Sequence, residues 1–171
     1  MNKTRDERNR TIVVRQPLNA EVELLEAFEY SFRVSEYLVG TLPKRLWQAD
    51  PPDGTGRSIA AIVAHMHSVR RTFAKMGGAP VALALDRNRS TAEAHRALRQ
   101  SRDALTGLFR GALARGESRV KGMPRRTVNM MLYLVQHEAH HRGQICSLAH
   151  ALDYRLSKDD VMRMWGWKKL P

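Results

Sequence analysis

The strongest constraint on this chain is that its apolar residues recur at three- and four-residue steps through four long stretches, and hardly anywhere at steps of two. A stripe of that period lies along one face of an α-helix and must be buried against a neighbour. From Pro17 the first stripe runs through Leu18, Val22, Leu25, Phe28 and Phe32 to Leu42-Pro43, which closes it. A turn cluster follows, Asp50-Pro51-Pro52-Asp53-Gly54-Thr55-Gly56. Ser58 then reads as the N-cap of a second helix, ended by Gly77-Gly78-Ala79-Pro80. Ser90 or Thr91 opens a third, carrying Ala94, Leu98, Leu105, Leu108 and Ala112. The fourth runs from Thr127 to Leu152, and Ser157 caps a short helical tail with Met162, Trp165 and Trp167. Four helices with one long crossover, between the second and third, predict an all-α four-helix bundle with a short C-terminal helical segment.

Composition narrows the setting. With 171 residues the chain has the length of one domain. Residues 1–16, with five basic and two acidic groups, are expected to form a flexible basic arm ahead of a domain at 17–171. The single cysteine excludes an internal disulfide framework and a Cys-based zinc finger. No apolar run approaches the roughly 20 residues of a membrane span, and the polar N-terminus has no secretory apolar region, so a cytoplasmic protein is expected. The 29 Lys+Arg against 17 Asp+Glu give a net charge of +12, which favours anionic partners.

Histidine placement carries the chemistry. Three of the seven fall within His137-Glu138-Ala139-His140-His141-Arg142. The stripe Met131, Leu134, His137, His141, Ile145, Leu148 puts His137 and His141 in an aliphatic seam, one turn apart on one face. Two imidazoles buried side by side need partners for up to four ring nitrogens, and a divalent metal takes one from each. A third ligand is available from Ala64-His65-Met66-His67 in the second helix. His65 lies nearer the apolar face and is favoured, with His67 the alternative and otherwise a solvated residue beside Arg70 and Arg71. Three imidazoles and an open position are the form of a catalytic rather than a closed structural site. The candidate catalytic groups around it are Arg142, Gln144 and Glu138. His137-Glu138-xx-His141 also satisfies the HExxH pattern of metallohydrolases, whose Glu is the general base, but no strand is evident to align a substrate. His140 is expected at the rim of a pocket or as a polar flank, Cys146 as a small buried hydrophobe, and mid-helix Gly143 under a closely packed neighbouring helix or chain. Trp165 and Trp167 are read as packing of the terminal helix or as a pocket roof.

These residues resemble the DinB/YfiT-like family of metal-binding four-helix bundles. The most specific piece, His137-xx-His140-His141-Arg142-Gly143-Gln144-Ile145, is similar to that family's HxxHHRGQI signature, and Ser58-Ile59-Ala60-Ala61-Ile62-Val63-Ala64-His65 is similar to its second-helix element. The resemblance spans residues 18 to 167. It implies an up-down-down-up bundle, often a homodimer, with nickel or zinc held by His65, His137 and His141. It also implies that the metal activates a low-molecular-weight thiol for transfer or isomerisation. The chain departs from the pattern in its charged arm and in Asp153, which stands where a Gly often follows the fourth helix.

The leading expectation is therefore a metal-dependent enzyme, thiol S-transferase-like, acting on a small electrophile. The metal would hold a thiolate or activate a water. Against it stand a bundle that carries metal without turnover and one that binds nucleic acid, since residues 86–126 hold 11 Lys+Arg against 4 Asp+Glu. No recognised nucleic-acid motif accompanies that segment.

Overall fold

Helix α1 (Ala20–Thr41) starts where Asn19 accepts a hydrogen bond from the Val22 amide, three residues beyond Pro17. Leu18 and Val22, expected on its buried stripe, are exposed, because the face that meets other helices begins only at Leu24 and Leu25. Helices α2 (Ile59–Met76), α3 (Thr91–Ala114) and α5 (Lys158–Met164) begin at Ser58, Ser90 and Ser157, each hydroxyl accepting from a first-turn amide. Ser90 and Ser157 complete capping boxes with Glu93 and Asp160. Only α4 (Thr127–Ala151) lacks a side-chain cap: its N-cap is Arg126, and the Thr127 amide donates instead to the Ser118 carbonyl at 2.9 Å. A single 3-10 turn, Lys44–Leu46, breaks the connection after α1. The computed structural model describes residues 17–80 and 84–171, and among these there is no strand. The basic arm and part of the crossover between α2 and α3 lie outside the described residues.

The helices form a bundle in which α1 and α2 each pack against both α3 and α4, while α5 packs on α1. Tyr37 donates to Asp160 and Tyr30 to the Arg163 carbonyl, which fastens α5 in place. Trp165 and Trp167 are about three-quarters exposed, at 76% and 75%, so they neither pack the terminal helix nor roof the cleft described below.

The core has two apolar clusters. One gathers Leu38, Ile59, Met66, Leu98 and Ile145; the other gathers Phe28, Phe32, Leu105, Phe109 and Met130. Along each of the four long helices the buried charged residues and histidines, with Ser35 and Ser101, fall between these two sets: Ser35 and Glu36 on α1, His67 and Arg70 on α2, Ser101 on α3, Glu138 and His141 on α4; three buried hydroxyl residues, Ser31, Thr106 and Thr127, lie at the second cluster. The bundle is thus apolar at both ends and crossed at mid-length by a polar layer. The candidate site sits in that layer.

Candidate metal centre

Because α2 touches both α3 and α4, its two sides are covered by different neighbours. His65 and His67 are two residues apart, about 200° around the helix, and go to different ones. His67 is fully buried, with Nδ1 3.2 Å from Ser101 Oγ on α3. It is neither solvated nor part of the histidine group. His65 turns to α4 and meets His137 and His141.

The three rings are close. His137 Nε2 lies 3.3 Å from His65 Nε2 and 3.1 Å from His141 Nε2, and one nitrogen from each residue falls within 4.8 Å of the others. Metal–nitrogen bonds of about 2.0–2.1 Å at tetrahedral angles put ligand nitrogens about 3.3 Å apart, so the spacing fits a shared ion. Three neutral ring nitrogens at this distance cannot all be hydrogen-bonded to one another, whereas a cation held by three lone pairs satisfies them together. The tautomer of His141 agrees. His141 Nδ1 donates to Gln144 Oε1 at 2.7 Å, which leaves the lone pair on Nε2, the atom facing His137. His137 Nδ1 is buried without a hydrogen-bond partner.

Protonation favours the same state. Burial, then the neighbouring His141, brings the His137 imidazole down to about 4. Burial also lowers His65, with help from His141 and Arg57, and lowers His141 against the opposing hydrogen bond of Gln144. At neutral pH all three are uncharged and able to ligate.

His141, alone of the three, lines a cleft of about 1020 Å³ bounded by α4 and by the turn cluster before α2. His140, Gln144 and Ser147 line it from α4, and Thr55 and Arg57 from the loop. His140 is exposed at the rim, its ring centroid 5.0 Å from that of His141. Gly143 also lines this cleft, and a Cβ there would meet nothing within 4 Å. Among the described residues no neighbouring helix packs over Gly143, which faces the opening. Cys146 is half-buried against the first apolar cluster, and burial pushes its thiol up.

Two candidate catalytic groups face elsewhere. Glu138 is fully buried and accepts two bonds from Arg70, Nε to Oε1 at 2.8 Å and Nη2 to Oε2 at 2.7 Å, with Ser35 Oγ donating at 2.6 Å. Burial pushes this carboxyl up, but the Arg70 charge and the hydrogen bonds of Arg70 and Ser35 outweigh it and hold the group below its usual range. Arg70 also donates to the Leu98 carbonyl, stacks 4.2 Å over Phe32, and lies 3.5 Å from Glu36. Glu36 is paired with Arg102 as well. Arg142 reaches α1, donating to the Ser31 carbonyl and to the hydroxyls of Ser31 and Ser35. Of the three, only Gln144 touches the histidine group.

The Arg70–Glu138 pair was not singled out by the sequence reading, although a signal existed. On α2 the buried face runs Ile59, Ile62, Met66, Arg70, Ala74, and on α4 it runs Met131, Leu134, Glu138, His141, Ile145. A cation and an anion each interrupt an apolar stripe, so each needs the other. The pair joins the two helices that supply the histidines, at a point one residue from His137.

No match was found among curated proteins or among solved structures. The family model described as the DinB family matches residues 15–167, nine-tenths of the sequence and every helix discussed above. This chain therefore belongs to the DinB family.

Proposed function

We propose that this protein is a metal-dependent enzyme in which His65, His137 and His141 hold a divalent ion, nickel or zinc. The observation that carries the proposal is the convergence of three uncharged imidazoles, with Nε2 separations of 3.1 and 3.3 Å, beside an open cleft. Bound there, the ion would act as a Lewis acid that holds a low-molecular-weight thiol as thiolate or lowers the pKa of a water. The reaction we favour is S-transfer from such a thiol to a small electrophile.

The chain's own residues have defined parts in this reading. Gln144 holds His141 in the ligating tautomer. Arg70 and Glu138 fix α2 against α4, and with them the approach of His65 to His137. Arg57 lines the cleft beside Asp53, and its charge, felt by both His65 and His141, offers a contact for an anionic group of the substrate. Both oxygens of Glu138 are hydrogen-bonded inside the bundle, which argues against a hydrolase with Glu138 as general base.

An up-down-down-up topology is supported by the order in which each helix meets the two apolar clusters: α1 and α4 run from the second to the first, α2 and α3 from the first to the second. A homodimer and a cytoplasmic location complete the reading; among the described residues no helix is long and apolar enough to cross a membrane.

Titration calorimetry with a small thiol, on metal-loaded and metal-free protein, tests the chemistry. Saturable heat that requires the metal is expected. Heat that is the same without metal, or none in either case, contradicts thiol activation.

A further inference from the structure

The arginines of residues 86–126 do not form one uniform basic face. Arg89, Arg102, Arg110 and Arg115 each have a carboxylate partner in Glu93, Glu36, Glu29 and Glu117 respectively. At the far end of the segment the pattern changes. Arg119, Arg125 and Arg126 line one cleft of about 420 Å³ at the start of α4, together with Asn129, Tyr133 and Gln136. No acidic residue lines it, and none of the three guanidiniums has an ion pair among the described residues. The three side chains are exposed, and like charges gathered in one concavity raise the local positive potential, which an anion between them relieves.

The backbone that gathers them is fixed. Val120 and Met123 are buried in the second apolar cluster, and the Met123 amide closes a turn on the Val120 carbonyl. Gly122 has φ +87°, and a Cβ there would come within 2.1 Å of the Met76 carbonyl oxygen, so only glycine lets the loop lie against the end of α2. The Thr127 amide and hydroxyl bind the Ser118 and Glu117 carbonyls, drawing both ends of the loop together. Arg119 is thereby held beside Arg125 and Arg126. Arg125 is further placed by stacking 4.8 Å over the Tyr133 ring.

We propose that Arg119, Arg125 and Arg126 form a binding site for the phosphate group of a small molecule, a phosphate monoester or diphosphate. Guanidinium forks match phosphate oxygens in geometry as well as charge. Asn129 and Gln136 add neutral polar groups for the remainder of the ligand. Arg87, Arg96, Arg99 and Lys121 also carry no ion pair among the described residues, but none of them lines this cleft, and Arg96 and Arg99 border a different one that Asp103 shares. A small ligand is favoured over a nucleic acid because Arg102, Arg110 and Arg115, which come between the two groups along the chain, are each paired with an acid, so Arg119, Arg125 and Arg126 meet an anion in one concavity and not along a continuous track. The site does not depend on the histidine group.

The test titrates inorganic phosphate and pyrophosphate into 15N-labelled full-length protein and follows backbone amide and arginine Nε–H resonances. Saturable shifts confined to Arg119, Arg125, Arg126 and the first turn of α4 are expected, with pyrophosphate tighter. Binding should weaken at least tenfold in R119Q and in R126Q, whose exposed side chains can change without disturbing the fold, and should be unaltered in R110Q. Phosphate binding that survives both variants, or is lost equally in R110Q, overturns the site. A short single-stranded DNA probes the other source of phosphate. Binding that is much tighter than pyrophosphate and spreads shifts over Arg87, Arg96 and Arg99 would overturn the small-molecule assignment in favour of a nucleic-acid surface.

Discussion

Gln144 is an exposed residue whose carbonyl oxygen decides which nitrogen of His141 carries the hydrogen. Removing that acceptor frees the imidazole to adopt the other tautomer. Gln144→Leu should therefore weaken metal binding about 10- to 100-fold, measured by competition against a chromophoric chelator, while the helical circular dichroism is unchanged. His137 gives a second residue-level expectation. Its imidazole titrates at about 4 in the folded chain, well below the ordinary histidine value, because burial and His141 disfavour the charge. Between those two pH values the unfolded chain binds the proton and the folded chain does not. This contribution to stability is complete above the ordinary histidine value and is lost as pH falls towards 4. Urea midpoints of metal-free protein should accordingly decline through this window, and more steeply than those of His137→Asn. At this scale His137 and His141 were legible from a four-residue spacing in an apolar seam. Between His65 and His67 the sequence left two choices, since the α2 face that meets α3 cannot be told from the face that meets α4 without the packing.

The elements hold together through caps that the sequence announces and a polar layer that it conceals. Ser58, Ser90 and Ser157 each precede a helix as a hydroxyl should, and Ser90→Ala is expected to cost about 1 kcal/mol in a denaturant titration. Asn19 offered the same signal for α1 and would have placed its start correctly. The Arg70–Glu138 pair was harder to see, because a charge on a helix ordinarily marks its solvated face. Its signal is indirect: each charge interrupts an apolar stripe, and the two are seen as partners once α2 and α4 are known to pack together. Arg70→Met should destabilise the protein by about 3–5 kcal/mol, since it strands the Glu138 carboxylate in the core. Arg70→Met combined with Glu138→Leu should recover much of that loss. A double variant as unstable as the sum of the single ones would show that the two side chains act separately.

For the whole molecule, two apolar clusters lie on either side of the polar layer, and neither needs an ion to pack. Metal removal by chelator should leave a cooperative thermal transition. Saturating metal at 100 times its dissociation constant should raise the midpoint by on the order of 5–10 °C. Collapse of helicity on chelation would instead identify a structural ion. The helical class and the four long elements were legible because a three-to-four period persists through each. The closing of the cleft around His141 was not, because the loop before α2 carries turn residues whose path depends on what they pack against. Whether the three histidines form a site is decided most directly by the metal content of the purified chain. Elemental analysis is predicted to give about one divalent ion per chain for the wild type and almost none for His141→Ala of equal helical content; metal-free wild type that refuses added nickel and zinc, or a His141→Ala protein that retains its ion, would contradict it.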